Sequence, residues 1–219
     1  MTANDWRLCV IPQPMLLEFP GTPSERKLRL FGCAVCHRIW ELMDDARCRK
    51  AVEASEQYAD GFLAERALDN ISADAEFAWD QAIREPGGDD RVDARLARAA
   101  SYSSSPWLSL DVLMEGVNAA AEVAPGGAVN ERHAQANLLR DIFGNPFRSV
   151  DFNPAWRTSD VLLLAQGIYD DRAFDRMPIL ADALQDAGCD NDDILNHCRD
   201  TNQVHVRGCW VVDLVLGKK

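Results

Sequence analysis

The chain lacks most of the features that declare a function. None of its apolar runs approaches the ~20 residues needed to span a bilayer. Its opening stretch, MTANDWRLCV, has neither the basic region nor the apolar region of a secretory signal. Both absences predict a cytoplasmic protein that stays out of membranes. Cations are scarce, with 23 Lys and Arg against 35 Asp and Glu and a formal net charge of -12. Such a surface repels phosphate backbones and anionic lipid, so nucleic acid is not the expected partner, whereas a basic protein would be attracted. There is no Gly-x-Ser-x-Gly elbow and no glycine loop of the kind that cradles phosphate. Glu131 and His133 share a predicted helix but lack the second His of a zinc protease. Enzymatic activity is unsupported, and the first functional reading is a non-catalytic protein-binding module, an adaptor or a small subunit of a larger assembly.

What the chain does contain is helical periodicity. Its 219 residues, 47% hydrophobic and 26% charged, suit one large domain or two small ones with a substantial core. Residues 1–23 carry Pro12, Pro14, Pro20 and Pro23 and predict turns with one short helix around Met15 to Phe19. Ser24 is placed to cap a helix to about Met43, with Leu28, Phe31, Val35 and Ile39 on its apolar face. A charge-rich surface helix follows from Ala46 to about Ala59, then, separated from it by Gly61, one running to Asp69 and another from Ser72 to Arg84. Asp90 to Ala100 is helical, and Ser101-Tyr102-Ser103-Ser104-Ser105-Pro106 is the most loop-like run. Helices are expected over 108–123 and 130–143. Residues 145–158, NPFRSVDFNPAWRT, are aromatic-rich and aperiodic, a linker whose rings look exposed. The expected fold is all-α, an irregular multi-helix bundle without strands or repeats. An N-terminal helical region, 1–144, would carry a C-terminal one, 145–219, packed on it, with a single domain as the alternative.

The C-terminal run is the most informative. Ser159 is placed to cap a helix holding Val161, Leu164 and Ile168. Met177, Leu180, Ala181 and Leu184 mark one face of the next helix, which Gly188 closes. Asp190 is placed to cap a short helix with Ile194 and Leu195. Cys209 to Leu216 is apolar except for Asp213, too apolar to remain solvated, so it must dock on the helices upstream. Its valines suit a strand, but Trp210, Val211, Leu214 and Val215 fit one helix face and Gly217 a C-terminal stop, which favours helix.

Four segments, KLRLFGCAVCHRIW at 27–40, LLRDIFGNPFR at 138–148, the stretch 172–198 and HVRGCWVVDLVLGK at 205–218, resemble a large paralogous group of uncharacterised bacterial proteins. The resemblance places the chain in a bacterial setting and implies no activity, cofactor or catalytic residue. The group's pattern carries Arg where His37 stands here.

Two cysteine-bearing stretches could carry chemistry. Cys33-Ala-Val-Cys36-His37 has the literal spacing of covalent haem attachment, but it lies inside an apolar helix face, where buried cysteines serve as small hydrophobes. The set Cys189, His197, Cys198, His205 and Cys209 is the better candidate for zinc, because turns gather the four N or S ligands of a tetrahedral site. Its spacings match no standard finger. The plainer reading packs Cys189 and Cys198 in the core and gives His205 a helix end to hydrogen-bond. A zinc enzyme or sensor built on this set is the alternative function. Asp190-Asn191-Asp192-Asp193 lacks the central Gly and distal Glu of a calcium loop, and a helix N-terminus already explains its charge. Seven cysteines, an odd number, predict free thiols or a metal site rather than a disulfide framework.

Overall fold

The computed structural model describes residues 1–218, which form twelve α-helices and no strand. In order they are α1 (Ala3–Leu8), α2 (Pro12–Leu17), α3 (Glu25–Arg38), α4 (Ala46–Ala59), α5 (Glu65–Ala82), α6 (Val92–Ser104), α7 (Leu110–Val123), α8 (Ala128–Phe143), α9 (Ser159–Asp171), α10 (Met177–Asp186), α11 (Asp192–Arg199) and α12 (Trp210–Leu216). Among the described residues no helix is long and apolar enough to cross a membrane. All seven cysteines are free.

The chain divides into two compact units, Val10–Ala136 and Met1–Cys9 with Asn137–Lys219. The division falls inside α8, earlier than residue 145, and the first nine residues belong with the C-terminal part. Hydrogen bonds explain that allegiance. Trp6 Nε1 donates to the Gly144 carbonyl at 2.8 Å. Arg140 donates to the carbonyls of Trp6 and Cys9, and Asn145 to that of Ala3.

In the unit 10–136, α6 packs against α3, α4, α5 and α7. A helix hemmed in on so many sides needs small side chains, and Ala94, Ala97, Ala99, Ala100, Ser101, Ser103 and Ser104 are all buried. The serine-rich run is therefore helix as far as Ser104 rather than the expected loop, with the Ser104 hydroxyl satisfied inside. Ser104 Oγ bonds the Ser101 carbonyl and lies 3.2 Å from Ser72 Oγ. Ser55 Oγ donates to the Ser103 carbonyl. Fully buried Arg29 donates to the Ser105 carbonyl at the C-terminal end of α6 at 2.9 Å, where the helix dipole favours a cation.

Local expectations fail where packing outweighs composition. The charge-rich α4 is not a surface helix, because Cys48, Ala51, Val52, Ala54 and Ser55 are buried along one face. One helix, α5, replaces the two expected between 61 and 84. The helix from Ser24 ends at Arg38 and passes into a 3-10 turn over Trp40–Leu42. Leu28, Phe31, Val35 and Ile39 are buried as expected.

The C-terminal unit has its own core, in which Val161, Ala165 and Ile168 of α9, Leu180 and Leu184 of α10, Ile194 and Leu195 of α11 and Val211, Val212 and Val215 of α12 cluster. The tail thus docks as a helix. Gly217 closes it at φ +71, and Arg157 donates to the otherwise orphaned carbonyls of Leu214 and Val215. The caps fall one residue from those expected, at Thr158 and Asn191. The rings of the stretch 145–158 are not exposed, although most of its other side chains are: Trp156 is buried edge-on to half-buried Phe152, and half-buried Phe147 packs 6.1 Å from Trp6.

Candidate metal centre

Asp141 lies on α8 among buried Leu138, Leu139 and Ile142, and is itself fully buried. A carboxylate in that position is costly unless its oxygens are met. His205 Nδ1 lies 2.7 Å from Oδ1 and His197 Nε2 3.3 Å from it. The Val206 backbone N–H donates to Oδ2 at 2.8 Å. Burial pushes the Asp141 carboxyl up, but the hydrogen bonds from His197 and His205 lead the opposing effects, which outweigh it and hold the group below the usual carboxylate range.

The other members come from the C-terminal end of α11, the loop after it and the start of α12. A turn makes this possible. The Cys209 N–H donates to the Val206 carbonyl at 2.9 Å, and Gly208 sits at φ +90, a conformation open to glycine without a steric penalty. The turn brings His205, the Val206 N–H and Cys209 to one side. His197 Nε2 stands 3.2 Å from Cys209 Sγ, and His205 Nδ1 stands 3.9 Å from it. Trp210 backs His197 with ring centroids 5.1 Å apart. The Trp210 ring in turn lies against Gly144, where a Cβ would stand 3.2 Å from it.

One ligand atom from each of Asp141, His197, His205 and Cys209 lies within 4.8 Å of the others. The sequence-derived set is thus brought together in part: His197, His205 and Cys209 are in the group, whereas Cys189 and Cys198 are outside it. Those two cysteines are buried in the C-terminal core, and burial pushes the Cys198 thiol up to about 12. Asp141 was not singled out in the sequence. Its signal was present, a carboxylate three residues from Leu138 and next to Ile142 on an apolar helix face.

The arrangement distinguishes two chemistries. In a Cys–His–Asp relay the imidazole offers one nitrogen to the thiol and the other to the carboxylate. Here each imidazole turns a single nitrogen toward both the sulfur and the carboxylate oxygen, so the four atoms converge on one point. Burial pushes the Cys209 thiol well up and the His197 imidazole down, which leaves a protonated thiol that is a poor nucleophile without a cation. The far nitrogen of His205, Nε2, is buried and has no hydrogen-bond partner among the described residues, so the hydrogen bonds that orient this ring lie on its Nδ1 side.

The remaining candidates have structural partners. Cys33 and Cys36 are buried, with thiols directed at the carbonyls of Val52 and Ala99. His37 Nε2 pairs with Glu56 at 3.0 Å. Asn191 caps α11 through the Asp193 and Ile194 N–H groups, while Asp193 meets Arg148. Glu131 forms a two-point pair with Arg38 at 2.7 and 2.9 Å. No family model, curated protein or solved structure matches this chain.

Proposed function

We propose that the protein binds a zinc ion through Asp141, His197, His205 and Cys209, and that the metal is structural rather than catalytic. The observation that carries this reading is the convergence of the four ligand atoms. Zinc bonds of 2.0–2.3 Å set tetrahedral ligand atoms about 3.3–3.8 Å apart. The separations of 3.2, 3.3 and 3.9 Å lie close to that spacing, and the 2.7 Å pair needs only a small opening. The donors suit zinc, since a thiolate and two imidazoles disfavour magnesium and calcium. Four protein ligands leave no open position for water or substrate, which is the mark of a structural site.

The metal would tie α8 to α11, to the loop after it and to the start of α12, with Cys209 giving up its proton on binding. Elemental analysis of the protein expressed with zinc supplementation tests this. One zinc per chain in the wild type, lost in Cys209→Ala, is the expected result. A folded wild type free of metal overturns it.

Binding of another protein is the second reading. It is supported by the exposed rings of Phe62 and Trp107, 75% and 77% accessible, on the unit 10–136. A partner that co-purifies with the wild type and is lost with Phe62→Ser and Trp107→Ser is the expected outcome. Co-purification indifferent to both changes removes that reading.

A further inference from the structure

We infer that the cavity beside the metal centre binds a small molecule bearing a carboxylate or phosphate group. This cavity, about 400 Å³, lies within the C-terminal unit, with Arg7, Arg140, Asn145, His197 and Trp210 on its wall. The first observation is two arginines without a carboxylate. Arg7 donates to Asn4 Oδ1 at 3.1 Å. Arg140 donates to the carbonyls of Trp6 and Cys9 and to Asn137 Oδ1. Among the described residues neither meets an acidic side chain, although carboxylates outnumber Lys and Arg by 35 to 23. Elsewhere Arg26, Arg38, Arg47, Arg91 and Arg98 each take one.

The second observation is what Arg140 has left to offer. Three of its hydrogens are used, on Nη1 twice and Nη2 once, which leaves Nε–H and one Nη2 hydrogen. A guanidinium edge of this kind engages an oxyanion with two parallel hydrogen bonds. Its three existing bonds hold two backbone carbonyls and the Asn137 side chain, so the group is fixed in place before any ligand arrives.

Acidic groups on the same wall do not cancel the two cations. Asp193 is matched by Arg148 at 3.0 Å. Asp200 is exposed and accepts from the Asn202 N–H of its own loop. The balance is three guanidiniums against two carboxylates in a chain of net charge -12. The Trp210 ring offers an apolar surface for the body of the ligand. The inference does not depend on zinc, since His197 turns its Nε2 away toward Cys209.

Calorimetric titration of the full chain at low ionic strength, with inorganic phosphate and separately with succinate against a chloride control, tests the site. Saturable binding of one of the two, one per chain, is expected. Arg7→Gln, at an exposed position, should weaken it about tenfold without changing the melting temperature. Arg140→Lys should weaken it as well, since a point charge replaces the two-pronged edge. Failure of both anions to bind more tightly than chloride overturns the inference. So does Arg7→Gln protein that binds as tightly as the wild type.

Discussion

Asp141 and His205, 64 positions apart in the chain, meet at 2.7 Å with the carboxylate fully buried and the imidazole nearly so. A carboxylate so deep inside a helical core costs stability unless something uses it. The contact joins the end of α8 to the loop before α12.

Removing the proposed zinc should loosen the C-terminal unit first. At a thousandfold excess of free zinc over its dissociation constant, binding stabilises the folded chain by about 4 kcal/mol. For a chain of this size that corresponds to about 8–16 °C. Chelator-treated protein should melt lower by that margin and recover with zinc but not magnesium. An unchanged melting curve after complete metal removal counts against a structural ion.

Asp141→Ala should be among the more damaging single changes in the unit. It strands two imidazole nitrogens and the Val206 N–H beside a buried position. Breaking a buried charged network in this way costs about 3–5 kcal/mol. Urea unfolding of metal-free Asp141→Ala against metal-free wild type isolates this cost from the loss of zinc. A difference below about 1 kcal/mol means that the network contributes nothing to the fold.

Gly208→Ala separates the turn from the ligands. An alanine at φ +90 is strained by about 1–2 kcal/mol, and relief of that strain shifts Cys209 away from His197. Zinc affinity should fall although all four ligands remain, as a competition assay with a chromophoric chelator would measure. Wild-type affinity in this variant means that the turn does not position the sulfur.

Leu180→Ala probes the core on which the C-terminal helix rests. Leu180 is fully buried in a cluster with Val211 and Val215. The change should cost about 2–5 kcal/mol, depending on how far the cavity collapses. A loss under about 0.5 kcal/mol, read from the denaturation midpoint, means that the cluster does not hold the tail.

Much of the helical architecture was legible before the structure. Leu28, Phe31, Val35 and Ile39 recur at helical spacing and are buried, and Gly217 closes the last helix. Three of the four grouped side chains were legible as well, because His197, His205 and Cys209 crowd one short stretch of sequence.

The rest depends on partners that are distant in sequence. Ser101 to Ser104 read as a loop because isolated serines favour turns. Only the close approach of α3, α4, α5 and α7 makes small side chains the ones that fit there, and so makes the run helical. Asp141 read as one acid among 35 Asp and Glu until α8 was packed so that its oxygens faced two histidines more than fifty residues away. Periodicity along a single helix shows which face is buried. Which buried carboxylate meets which imidazole depends on how separate helices pack, and that is a property of the tertiary structure alone.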